Sequence, residues 1–134
     1  CEADHLFATR LWQNNSKVHF DINAREDKKR LIYGGHIISL VRALSFNGLE
    51  NAQLIVGING GTHANPVFAE DTIYCWSEVL DKIDLNVRNI AALRLRSVGT
   101  KEKNHNMRLK SDDGKYLPTI VLDFDYWVLV PKEL

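Results

Sequence analysis

The chain carries no excess charge of either sign: Lys plus Arg and Asp plus Glu number 17 each. A domain so balanced has no overall field to draw in nucleic acid, an anionic membrane or a polyanion, and such affinity would have to be local. Cysteine is scarce as well. Cys1 and Cys75 stand far apart, build no disulfide framework and fit a reducing, cytosolic setting. No apolar run reaches the roughly 18 residues that a membrane span needs. H-E-x-x-H, C-x-x-C and histidine pairs at helical ligand spacing are all missing, so neither a structural nor a catalytic metal is expected. There is no Pro/Ser/Gly-rich linker, and 134 residues with 45% hydrophobic content suffice for one core, so residues 1–134 read as a single domain. The opening Cys-Glu-Ala-Asp is neither an initiator methionine nor a secretion signal, and Cys1 reads as a cut end.

What is present divides near Glu50 into a helical half and a sheet-like half. Ala3, Leu6, Phe7, Arg10 and Leu11 recur at helical spacing behind Glu2 and Asp4, where the helix dipole favours acids, so a helix is expected over residues 2–13, ending near Asn14. Asp21 can cap a short polar helix from Asn23 to Lys29. The stretch YGGHIISLVRALSFNGL then opens on two glycines and runs into a helix apolar on most sides, with only Ser39, Arg42 and Ser45 as a narrow polar stripe. Such a helix must be wrapped.

The second half supplies the wrapping. AQLIVGIN, DTIYCWSEVLDKI, NIAALRLRSVGT and TIVLDFDYWVLV are rich in β-branched and aromatic residues. Leu93 and Leu95 alternate with Arg94 and Arg96; Ile120, Leu122, Phe124 and Tyr126 alternate with Val121 and the outward Asp123 and Asp125. SDDGKY is a turn before the last strand, and TKEKNHNMRLK a hairpin arm or loop. The expected fold is α+β, a curled antiparallel sheet around one long buried helix: the hot-dog arrangement.

The order helix, NNSKVHFD, LIYGGHIISL and NPVFAEDTIYCWSEV resembles the MaoC-like branch of that superfamily, the R-specific enoyl-CoA hydratases. More narrowly, LWQNNSKVHFD, YGGHIISLVRALSFNG, NPVFAEDTIYCWSEVLD and LDFDYWVLVP resemble the C-terminal half of the mesaconyl-CoA hydratases, or β-methylmalyl-CoA dehydratases, double hot-dog proteins of more than twice this length. The resemblance implies reversible hydration of a branched, dicarboxylic C5 enoyl-CoA. No cofactor is implied beyond the CoA that the substrate carries. The family motif is an Asp, an Asn two positions on, a His three further and an Asp two after the His. Here these places hold Asn14, Ser16, His19 and Asp21. The imidazole is kept, as the side-chain type that exchanges protons near neutral pH, but the carboxylate that would share the proton is replaced by an amide.

The resemblance makes His19 the acid-base group; the alternative is a buried, satisfied histidine. Asn14 either positions water or caps the first helix, and Ser16 joins it in binding substrate. Gly34 and Gly35 allow an acyl group to approach where backbone N–H groups of a helix start can hold a thioester oxygen, or merely form a tight turn. His36 is either a pocket residue or a packed one, and Arg42 either pairs with a free substrate carboxylate or reaches out to solvent. GINGGTHANP lacks the lysine of a phosphate loop and reads as a strand end and bend. DKKR and KEKNHNMRLK could meet CoA phosphates but suit solvated loops.

Three functions stay open: a catalytic hydratase half, a half that only completes the fold and pocket, and an acyl-CoA thioesterase. The last would want an acidic residue on the central helix, and Gly34 to Leu49 has none. The strands after residue 50 would leave part of that helix bare. A second hot-dog unit is therefore the expected partner, either a symmetry-related copy or the upstream half of a longer chain.

Overall fold

The computed structural model describes residues 1–52, 54–103 and 106–132; Gln53, at the head of the first expected strand, and Asn104 and His105, in the expected loop, lie outside them. Helix α1 spans Glu2–Leu11 and helix α2 spans Gly34–Leu44. Four strands follow, β1 (Leu54–Thr62), β2 (Tyr74–Val87), β3 (Ile90–Thr100) and β4 (Ile120–Pro131). They form one antiparallel sheet in the order β1-β4-β3-β2, with α2 packed across β2, β3 and β4. All four expected strand segments and both long helices are present.

The alternation predicted for β3 and β4 sorts the two faces. Leu95, Leu122, Phe124, Tyr126 and Val128 are buried against Ile37 and Val41 of α2. On the other face Arg94 grips Asp125 through two bonds of 2.9 and 2.6 Å, and Arg96 reaches Asp123 at 3.0 Å. Val121 departs from this pattern: it is fully buried. The ladder pairs Gly99 with Leu122 but Thr100 with Ile120, so Val121 is the extra residue of a bulge and turns inward.

The helices are shorter than expected. After α1, Gln13 takes a left-handed φ of 54° and the Asn14 N–H returns to the Thr9 carbonyl at 3.0 Å, closing the helix two residues early. The expected helix from Asn23 to Lys29 is only a 3-10 turn, Ile22–Ala24, capped by Asp21 through the Asn23 N–H at 2.8 Å. The rest of that segment has no apolar face to bury; Arg25 closes on Asp27, and Lys28 turns left-handed at φ 53°. In α2 the Ser45 hydroxyl donates back to the Arg42 carbonyl at 2.8 Å, and regular helix stops at Leu44 rather than Leu49.

The sheet covers one side of α2. Leu44 remains 46% and Phe46 57% exposed, and edge strand β1 leaves Val56 53% and Ile58 64% exposed. SDDGKY turns at Gly114 as expected, with the Ser111 N–H bonded to the Lys115 carbonyl at 2.9 Å. No helix among the described residues is long and apolar enough to cross a membrane.

Candidate active site

The segment Leu31 to Gly34 is the spine of the site. On one side the Leu31 N–H donates to the Val18 carbonyl at 2.9 Å; on the other the Ile32 N–H donates to the Val67 carbonyl at 2.9 Å. Two residues later α2 begins. His19, on a 3-10 turn Lys17–His19, is buried with its Nδ1 2.8 Å from the Leu31 carbonyl oxygen. A carbonyl only accepts, so Nδ1 carries the hydrogen and Nε2 is the acceptor nitrogen of the neutral ring. The Tyr33 ring meets the imidazole edge-on, centroids 5.9 Å apart.

His19 lines a cavity of about 380 Å³ together with Leu31, Ile32, Gly34, His63, Asn65 and Val121. Sequence reasoning placed His19 and Gly34 at one site, and both border this cavity. It missed His63, which GINGGTHANP concealed as a bend. The available signal was a titratable ring on the connection between two strands, the kind of segment on which functional side chains are commonly carried. The Ala64 N–H donates to the Val121 carbonyl at 3.1 Å, and the Asn65 amide donates to the Leu117 and Ile120 carbonyls at 2.9 and 2.7 Å. Partial burial holds the His63 pKa below its ordinary value.

The glycines have steric reasons. A Cβ on Gly34 would stand 2.6 Å from His63 Nε2, and one on Gly35 would stand 2.6 Å from the Tyr33 hydroxyl. Asn14 is half-buried, and its Oδ1 accepts the Ser16 N–H at 2.9 Å in a turn leading toward His19; Ser16 itself is exposed. Arg30 braces this region, its Nε donating to the Phe20 carbonyl at 2.5 Å while Nη1 pairs with Glu2 of α1 at 2.6 Å.

His36 and Arg42 border other hollows. His36 lines one with Asp4, Ile32 and Glu70, and burial lowers its pKa against the opposing pull of Asp4. Arg42 turns inward rather than to solvent: its guanidinium donates to the Tyr126 hydroxyl at 2.9 Å and to the Ala52 carbonyl at 2.7 Å. Tyr126 in turn meets Ser97, and Ser97 meets Ser77, each at 2.9 Å. Among the described residues no cluster of histidine, cysteine or carboxylate side chains is arranged to hold a metal ion.

No family model matches the chain. The mesaconyl-CoA hydratase of Cereibacter sphaeroides is 59% identical over 131 residues, covering 98% of this chain and 38% of that protein. The β-methylmalyl-CoA dehydratase of Chloroflexus aurantiacus is 52% identical over 136 residues, covering 98% and 39%. A solved MaoC domain protein from Chloroflexus aurantiacus superposes with a TM-score of 0.93 at 49% identity, over 99% of this chain and 39% of its own. The (R)-hydratase from A. caviae shares the fold, with a TM-score of 0.61 at 17% identity over 95% of this chain and 85% of that one. The chain thus spans about two fifths of the length of the curated relatives it matches. Fold and sequence together make this chain a MaoC-like hot-dog domain, homologous to the C-terminal part of the mesaconyl-CoA hydratases and β-methylmalyl-CoA dehydratases.

Proposed function

We propose that this domain supplies the acid-base histidine and part of the acyl pocket for reversible hydration of a branched, dicarboxylic C5 enoyl-CoA. The observation that carries the proposal is the His19 ring, fixed through Nδ1 to the Leu31 carbonyl at the wall of a cavity that also reaches the start of α2. Nε2 accepts a proton from water as the water oxygen bonds to the β-carbon. The electron pair of the double bond moves toward the thioester carbonyl, whose oxygen is held by N–H groups of the first turn of α2 at Gly34 and Gly35. The imidazolium then returns the proton to the α-carbon, and the ring ends as it began. Addition of water involves no net oxidation or reduction, so the proposed reaction needs acid-base groups rather than a redox group, and CoA arrives as part of the substrate. Asn14 orients the approach to His19, with Ser16 beside it.

Among the described residues lining the cavity there is neither lysine nor arginine. In this proposal a second hot-dog unit supplies the partner of the free carboxylate, and the apolar side chains left open on α2 and edge strand β1 support such a unit. The setting is cytosolic, with Cys75 a free thiol. A non-catalytic half is favoured by one detail, that Asn14 Oδ1 is already engaged by the Ser16 N–H.

The test is hydration of mesaconyl-CoA and of a linear enoyl-CoA by the full-length protein, followed by loss of enoyl-thioester absorbance. Faster turnover of the dicarboxylic substrate is expected. Release of free CoA thiol without hydration would replace the hydratase with a thioesterase.

A further inference from the structure

We propose that His63 is a second hydrogen-bond donor to the thioester carbonyl, sharing with the first turn of α2 the charge that builds on that oxygen. The inference rests on the hydratase function proposed above and adds a residue to its chemistry. Three ring atoms of His63, Nε2, Cε1 and Cδ2, lie 2.6, 2.8 and 3.1 Å from the point a Cβ on Gly34 would occupy. Cα–Cβ bonds tilt toward the N-terminus of a helix, so that point lies in front of the first turn of α2. The ring is thus set beside the N–H groups assigned to the carbonyl, and it borders the same cavity as His19.

The ring is also free to act. Among the described residues neither of its nitrogens has a hydrogen-bond partner, while the chain on its C-terminal side is pinned through Ala64 and Asn65 to the start of β4. The backbone that carries the ring is thus fixed beside the helix start, and an unengaged ring nitrogen can turn to the oxygen without giving up another bond. Burial favours the neutral ring, which still carries one N–H and is not repelled by the positive end of α2. A neutral imidazole is a weak counter-ion for a carboxylate, and this assigns His63 to the carbonyl oxygen rather than to the free acid of the acyl group.

The experiment compares His63→Phe, which keeps the ring size and removes the donor, with His63→Gln, which keeps a donor. The full-length protein is used, and kcat and KM are measured for mesaconyl-CoA and a linear enoyl-CoA, with melting curves alongside. His63→Phe should lower kcat about 10²-fold for both substrates with little change in KM, as loss of an oxyanion donor does, and His63→Gln should recover much of the loss. His63→Leu serves if the Phe variant does not fold. Unchanged kcat in folded His63→Phe overturns the inference. So does a loss confined to KM of the dicarboxylic substrate, which would assign the ring to the carboxylate. If the wild type hydrates neither substrate, the hydratase function and this inference fall together; activity in both wild type and His63→Phe removes only the inference.

Discussion

His19 Nδ1 and the Leu31 carbonyl oxygen are 2.8 Å apart, and three residues beyond Leu31 the chain enters α2 at Gly34. The group proposed for proton transfer and the helix start proposed to bind the thioester carbonyl are thereby held by one short segment. The Leu31 N–H bond to Val18 adds a second tie between the two segments, and rotating the imidazole would cost it the Nδ1 bond to Leu31. Such outer bonds fix tautomer and orientation together.

Gly34→Ala tests how closely the site is packed. The added methyl would meet His63 Nε2 at 2.6 Å and Cε1 at 2.8 Å, and the ring must yield. Because alanine also restricts the unfolded chain, the melting temperature should stay within a few degrees of wild type. Hydration should fall by about 10²-fold, the effect of displacing a site group by roughly an ångström. Full activity would show that His63 and Gly34 do not shape the pocket.

Arg42 separates packing from recognition. Truncating it leaves the Tyr126 hydroxyl and Ala52 carbonyl short of partners, so Arg42→Met should cost about 1–3 kcal/mol in urea denaturation. The ratio of KM values for dicarboxylic and linear substrates should not move. A selective rise for the dicarboxylic substrate would restore Arg42 to the acyl site.

Acid should loosen α1. His5 is fully buried there and neither ring nitrogen has a partner among the described residues. Burial lowers its folded pKa below the ordinary value of 6.5, so protonation favours the unfolded chain. Stability is intact above that value and is lost as pH falls below it; His36 and His63 shift in the same direction, again from burial. His5→Leu should flatten the pH dependence of the urea midpoint between about pH 7 and 5. An unchanged slope would clear His5.

Sedimentation of the chain at micromolar concentration should give about twice its 15.3 kDa mass, since β1 and α2 expose apolar side chains that a second hot-dog unit would cover. A stable, active monomer would contradict this.

Local pattern made much of the molecule legible. The period of α2, the alternation in β3 and β4 and the motif spacing around His19 are carried by residues near one another in sequence. What escaped depends on distant partners. Arg42 turns inward because Tyr126, 84 positions away, offers a hydroxyl. Val121 is buried because a bulge opposite Gly99 reverses its face. His63 belongs to the site because α2 starts on a residue without a side chain, a relationship that exists only once the sheet has formed.

The most direct measurement is kcat for His19→Ala in the full-length protein, with Asn14→Ala in parallel and melting curves for both. Proton transfer by His19 predicts a fall of about 10²-fold or more with unchanged melting, and a smaller fall for Asn14→Ala. Turnover near wild type in folded His19→Ala would contradict it and leave this domain as the half that only completes the fold and the pocket.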